Sequence, residues 1–253
     1  MEQRGAQPPQ FIRPPTKEDA KVLLDNADVI KEMTIAPEVP GALELIRELA
    51  ANGIVMAAGH TNAREDDMLK AIDAGLTHVT HVYSAMSMVV RIGPWRVPGV
   101  LEVALTHPAL TLEMISDGCH LPATLLKLIT RARGTDRIAI VSDDGYASWH
   151  KMGVPIMREY GFKTSNAIIY DALGTSDKTN LATLQAYVAE GNECIGHGPN
   201  DGTGGTGSLF TTWTTNAQRI ADINACRDFL VANNLCTMWG ARSYVWPQGQ
   251  YTN

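Results

Sequence analysis

No apolar run in this sequence approaches the roughly 18 residues that a bilayer-crossing helix requires, which excludes a helical span and a membrane partner. The opening MEQRGAQPPQFIRPP lacks the apolar centre of a secretory signal; it is polar and proline-rich, and a cytoplasmic protein is expected. Basic residues are too few for a phosphate-tracking stripe: 21 Lys and Arg face 27 Asp and Glu, a net charge of −6. Nucleic-acid binding depends on neutralising backbone phosphates, so small molecules are the expected partners. Cysteine is scarce as well. Cys119, Cys194, Cys226 and Cys236 stand alone, without CxxC spacing, which excludes a zinc knot and a disulfide framework and leaves buried reduced thiols as the expectation.

What the chain does have is length and apolar content. Its 253 residues, 45% of them apolar, suffice for one substantial core and match the usual size of a single α/β barrel. Short β-branched apolar runs end in polar residues, and each is followed by a helical pattern that stops at glycine. Eight strands are expected: Met33–Pro37, Ile54–Gly59, His78–Tyr83, Thr111–Ser116, Arg137–Ser142, Ser165–Tyr170, Glu193–Gly196 and Leu235–Gly240. Helices are expected over Lys17–Lys31, Pro40–Asn52, Asn62–Ala74, Pro122–Arg133, Ser148–Tyr160, Asn180–Glu190 and Gln218–Asn233, with Pro155 kinking or delaying the fifth of them. Alternating strands and helices imply a parallel sheet. Eight units are what a closed (β/α)8, TIM-like barrel needs, in one domain over 1–253; an open doubly wound sheet is the alternative. The glycine-rich Gly202–Ser208 lacks the lysine of a phosphate loop and is expected to be a flexible lid or loop.

Barrel chemistry sits at the C-terminal strand ends, where the loops share one mouth. Those ends carry Glu38, His60, His81, Asp117 with His120, Asp143 with Asp144, Asp171 and His197. A mixture of carboxylates and imidazoles at one mouth is the ligand chemistry of a zinc-like divalent ion with an open coordination position. His78, His107 and His150 are expected to be hydrogen-bonded structural residues, and Asp117 is open to reading as a cap for the following turn.

Residues 4 to about 142 resemble N-acetylglucosamine-6-phosphate deacetylases, which are amidohydrolase-type barrels. The resemblance rests on RGAQPPQFIRPP, TIAPEVPGALELIRELAANGI, AAGHTNA, DAGLTHVTHVYSAM, VPGV, SDGCHLP and DRIAIVSD, in that order. It implies that Glu38, His60 and His81 ligate a divalent metal, that Ser84, Ala85 and His120 contact substrate, and that Asp143 is the catalytic acid and base. Ser84 stands where the family's NAM motif has asparagine, the family's early HxH and HxEGPF motifs have no counterpart, and Arg91 or Arg96 would match its phosphate-binding arginine.

From about 138 onward the chain resembles NodB-type polysaccharide deacetylases. IVSDDGYASWHKMGVPIMREYGFKTSNAIIYD is similar to their first motif, LATLQAYVAEGNECIGHG to the second and RSYVWPQGQY to the third. This resemblance implies Asp143 as general base, with Asp144 and His197 as metal ligands and Asp201 in place of a second histidine. The two resemblances overlap in the strand Arg137–Asp143. We therefore expect a chimera of two barrel fragments, 1–142 and 138–253, whose strands sum to eight. The expected activity is metal-dependent removal of acetyl from an N-acetylated amino sugar, with zinc as the metal; the competing expectation is a folded scaffold without turnover. A carboxylate-pair glycosidase has little in its favour, because neighbouring Asp143 and Asp144 on one strand point to opposite faces.

Overall fold

The computed structural model describes residues 3–5, 9, 12–28, 30–117, 120–142, 145–198 and 215–236. Period-two and helical patterns resolve into an α/β fold built from parallel strands, divided into two compact units. The first comprises Met1–Met114 with Leu128–Ala139, the second Ile115–Lys127 with Ile140–Asn253. One division, between Ala139 and Ile140, falls inside the strand in which the two resemblances overlap.

In the first unit β1 (Glu32–Ile35), β2 (Val55–Ala58), β3 (Leu76–Val79) and β6 (Thr111–Ile115) lie side by side in that order, each parallel to its neighbour. The register places Ile35, Ala58, Val79 and Leu112 in one row, and Thr34, Ala57, His78 and Thr111 in the next. Because side chains alternate along a strand, the first row faces the helices α2 (Ala42–Ala51) and α3 (Glu65–Ala74). Ile46 and Leu49 of α2, Met68 of α3 and Leu76, Met56 and Leu112 of the strands are completely buried there. Each such side chain contributes about 1.5–3 kcal/mol. The second row faces away and is polar or small.

The alternation is interrupted once. Between β2 and β3 the register shifts after Met56, which pairs with Leu76, while Ala57 pairs with His78. Thr77 is thus the extra residue of a bulge, and the bulge turns His78 onto the polar face.

The antiparallel hairpin β4 (Val90–Ile92) and β5 (Trp95–Val97) was not expected from the sequence. Its three-residue strands fall below the length at which alternation can be recognised, and Ile92 and Trp95 point into solvent. The chain then enters α4 (Val100–Thr106), and α5 (Ala123–Arg133) follows β6.

In the second unit β7 (Ile138–Ser142), β8 (Ser165–Ile168) and β9 (Glu193–Gly196) run parallel in that order. The eighth expected strand begins at Leu235, whose carbonyl accepts from Cys194 N (2.8 Å); its remainder from 237 lies outside the described residues, as do Gly202–Ser208 and the third NodB-like motif. The helix expected from Ser148 starts as a π-turn, Trp149–Gly153, before α6 (Val154–Glu159). Pro155 sits in the first turn of α6, where its missing N–H costs nothing. A Cβ on Gly153 would lie 2.1 Å from the Trp149 ring and 2.2 Å from Ser116 O, so only glycine fits against that fully buried indole. Asn180 caps α7 (Leu181–Ala189) and Thr215 caps α8 (Asn216–Ala232). Cys194, Cys226 and Cys236 are free thiols, the first two buried. Among the described residues no helix is long and apolar enough to cross a membrane.

Candidate functional site

Two strand ends of the first unit carry the histidines singled out by the sequence. After β2 the chain passes Gly59, where a Cβ would lie 2.2 Å from Thr80 Cγ2 and 2.8 Å from Thr34 Cγ2, and reaches His60. After β3 it passes Thr80 and reaches His81. Both histidines adopt the left-handed region, with φ of 49° and 30°, and so do Tyr83 (76°) and Ala85 (46°). Such backbone costs about 1–3 kcal/mol per residue and persists only where neighbours over-determine it. Here Thr61 N donates to Ala85 O (3.1 Å), Ser84 N to His81 O (2.9 Å) and Ser87 N to Thr61 O (3.1 Å).

These turns bring the two imidazoles edge to face, with His60 Nε2 and His81 Nε2 3.0 Å apart. His60 Nδ1 lies 3.1 Å from the Gln3 carbonyl, which can only accept, so Nδ1 carries a proton and Nε2 is the nitrogen turned towards His81. Burial, and then the charge of His60, lower the pKa of His81 and favour its neutral, ligating form. Two nitrogens bound to one tetrahedral zinc at about 2.0–2.1 Å lie about 3.3 Å apart. The pair therefore fits a shared divalent ion.

Glu38 braces the segment that follows His60. Its Oε2 accepts from the Thr61 hydroxyl (2.5 Å) and its Oε1 from Asn62 N (2.7 Å), which fixes the segment after His60. Ser84 and Ala85 hold the turn through the backbone bonds given above. His120, in the second unit, is clasped by buried Asp117: its N and Nδ1 donate to the two carboxylate oxygens at 2.8 and 2.7 Å. The cap expected of Asp117 is thereby combined with orientation of a histidine. His197 is buried just past β9, its N donating to Ile168 O (3.1 Å). Asp143, Asp144 and Asp201 lie outside the described residues.

A second cluster was missed by the sequence reading. Glu32 of β1, His78 of β3 and Glu113 of β6 offer ligand atoms that all lie within 4.8 Å of one another, and among the described residues no other such trio occurs. Three interstrand steps on a flat sheet would separate β1 from β6 by about 14 Å, so these strands curl towards their polar face. Although Glu32 is exposed as a residue, desolvation of its carboxyl and then the charge of Glu113 push its pKa up to about 7. Burial lowers the pKa of His78, against the opposing pull of Glu113. Glu113 also reaches the histidine pair, accepting on Oε2 from the Thr80 hydroxyl and from His81 N (3.1 Å). The available signal was polar residues at every second position, Glu32 with Thr34, His78 with Thr80 and Thr111 with Glu113.

Fold and site together define a parallel α/β protein with imidazoles and carboxylates gathered on and just beyond its strands. The chain is similar to the N-acetylglucosamine-6-phosphate deacetylase of Bacillus subtilis, 38% identical over 153 residues, which is 59% of this chain and 37% of that protein. It is also similar to the N-acetylgalactosamine-6-phosphate deacetylase of a Shewanella strain, 32% identical over 55% of this chain and 34% of that protein. Among solved structures, N-acetylglucosamine-6-phosphate deacetylase from Pasteurella multocida superposes with a TM-score of 0.51 at 33% identity, over 57% of this chain and 36% of that one. A mutant of the Mycobacterium smegmatis enzyme, in complex with N-acetyl-D-glucosamine-6-phosphate, superposes with a TM-score of 0.52 at 33% identity, over 59% and 38% of the two chains. The chain thus spans little more than a third of the length of these relatives. No protein-family model matches it.

Proposed function

We propose that the chain is a metal-dependent hydrolase that removes acetyl from an N-acetylated amino sugar, with N-acetylglucosamine-6-phosphate or a chitin-like oligosaccharide as substrate. The observation that carries this reading is the His60–His81 pair, opposed at 3.0 Å on strained strand-end turns, in a chain whose relatives are amino-sugar-phosphate deacetylases. His60, His81 and Glu38 would hold the divalent ion, Glu38 by exchanging its Thr61 and Asn62 partners for it, with zinc favoured by the nature of the donors. When bound, such an ion lowers the pKa of a water molecule and polarises the acetyl carbonyl. Asp143 would act as the general base towards the attacking water and as the general acid towards the departing amine nitrogen, and Ser84, Ala85 and His120 would orient the sugar.

In the same reading the chain is a hybrid of two barrel fragments, 1–142 and 138–253, that share β7 and together close a (β/α)8 barrel in a single domain. Asp144 and His197 are the NodB-like metal ligands of the second fragment. The curl of β1, β2, β3 and β6 towards one face supports the barrel part of this reading. A cytoplasmic setting and a small amino-sugar partner belong to the same reading.

The test is metal analysis of the purified chain, together with acetate release from N-acetylglucosamine-6-phosphate and from chito-oligosaccharide. Bound metal and acetate release that Asp143→Asn abolishes are expected. A cooperatively folded chain with neither metal nor acetate release would leave only the scaffold.

A further inference from the structure

We propose that Glu32, His78 and Glu113 form a second divalent-cation site, distinct from the His60–His81 pair, in which an ion of the zinc or manganese class links β1, β3 and β6 across their polar face. The placement is the first argument. β2 lies between β1 and β3; on this face it carries Val55, the register partner of Glu32, and then only Ala57 and Gly59, so towards its C-terminal end the face is open between Glu32, His78 and Glu113. The bulge at Thr77 puts His78 on this face, where the residue is only 6% exposed.

The second argument is the state of that ring. With the single proton of the Thr111 hydroxyl donated to Thr77 O (3.2 Å), the hydroxyl accepts from His78 Nδ1 (2.7 Å), the tautomer that this arrangement assigns. Nδ1 therefore carries hydrogen, and Nε2 is left with the lone pair. Among the described residues Nε2 has no hydrogen-bond partner. An imidazole nitrogen with a free lone pair, on a buried residue and beside two carboxylates within 4.8 Å, is the donor set of a divalent cation.

The third argument is charge. Glu113 has Oε2 occupied by Thr80 and His81 N, which leaves Oε1 for the cluster, and the Glu32 carboxylate accepts no hydrogen bond among the described residues. Two carboxylates drawn this close repel each other unless a proton or a cation sits between them. Two oxygens and one imidazole nitrogen suit zinc and manganese. The site needs neither Asp143 nor the deacetylase reading.

The experiment is Zn²⁺ titration of the chelator-stripped full chain by calorimetry, repeated with Co²⁺ by visible absorption. The unmodified chain is compared with His60→Asn/His81→Asn, with Glu32→Gln, and with the three changes combined. Circular dichroism melts confirm that each variant folds; Glu32 is exposed, and its isosteric replacement leaves the sheet intact. Zn²⁺ binding that survives in His60→Asn/His81→Asn and weakens at least about ten-fold when Glu32→Gln is added is the expected result. Loss of all binding in His60→Asn/His81→Asn would overturn the proposal, as would binding there that ignores Glu32→Gln. Failure of the His60–His81 site appears differently, as a chain whose metal is removed by Glu32→Gln alone.

Discussion

Glu113 holds His81 by its backbone: the carboxylate accepts from His81 N at 3.1 Å and so braces a histidine whose φ of 30° is otherwise unfavourable. Replacing the acceptor should relax the turn and misplace the ring. Glu113→Ala is expected to weaken metal binding at the histidine pair by about 10–100-fold, the usual effect of losing an outer partner, while Glu113→Gln retains part of it. Metal affinity measured in both variants decides; equal affinities in the two would deny Glu113 this role.

The pair itself makes a sharper prediction. His60→Asn and His81→Asn each remove one of two nitrogens that face each other at 3.0 Å. Acetate release should fall at least about 100-fold in each, with little change in the unfolding midpoint, since neither ring belongs to the apolar core. Activity that survives both substitutions would assign the chemistry to other residues.

Gly59 is the hinge between β2 and His60. Gly59→Ala would place a methyl against the Cγ2 atoms of Thr80 and Thr34 and should cost about 1–3 kcal/mol. Thr80→Ser removes one of those methyls and keeps the hydroxyl that bonds Glu113. A double-mutant cycle in urea should therefore show recovery in Gly59→Ala/Thr80→Ser; strictly additive costs would place the clash elsewhere.

Acid should destabilise the chain through His150. Burial holds its pKa down at about 4, against the weaker opposing influence of Glu190. A lowered folded-state value means that the unfolded chain binds the proton more readily. The stability contributed is thus complete above about pH 6.5 and is lost as pH falls towards about 4. Unfolding free energies from urea titrations across that window should fall by about 1–2 kcal/mol, the roughly 3 kcal/mol of the full shift reduced by solvent screening of a partly exposed ring, and His150→Gln should flatten the drop. A slope unchanged in the variant would show that another group titrates there.

Much of the framework was legible in the residues. Glycines 53, 75, 134, 161 and 191 mark helix ends, because their left-handed φ suits the stop after a helix. The strand Glu193–Gly196 has the expected bounds, while the other described strands are shorter than expected by one or two residues. His78–Tyr83 became Leu76–Val79 for a particular reason: Thr80 and His81 leave the sheet to form the turn that Glu113 braces. The helix expected from Ser148 instead opens as a π-turn, within which Gly153 leaves room for the Trp149 ring.

The sequence by itself determined the alternating parallel architecture and the positions of His60 and His81, because periodicity, glycine stops and strand-end polarity are local properties of the chain. Only the tertiary structure decided that His78 turns onto the polar face, that Glu38 ties down Thr61 and Asn62, and that Glu32 and Glu113 meet across intervening strands. Those outcomes depend on one bulged residue and on the curl of the sheet. Both arise from the packing of strands against each other and against their helices, which no local pattern encodes.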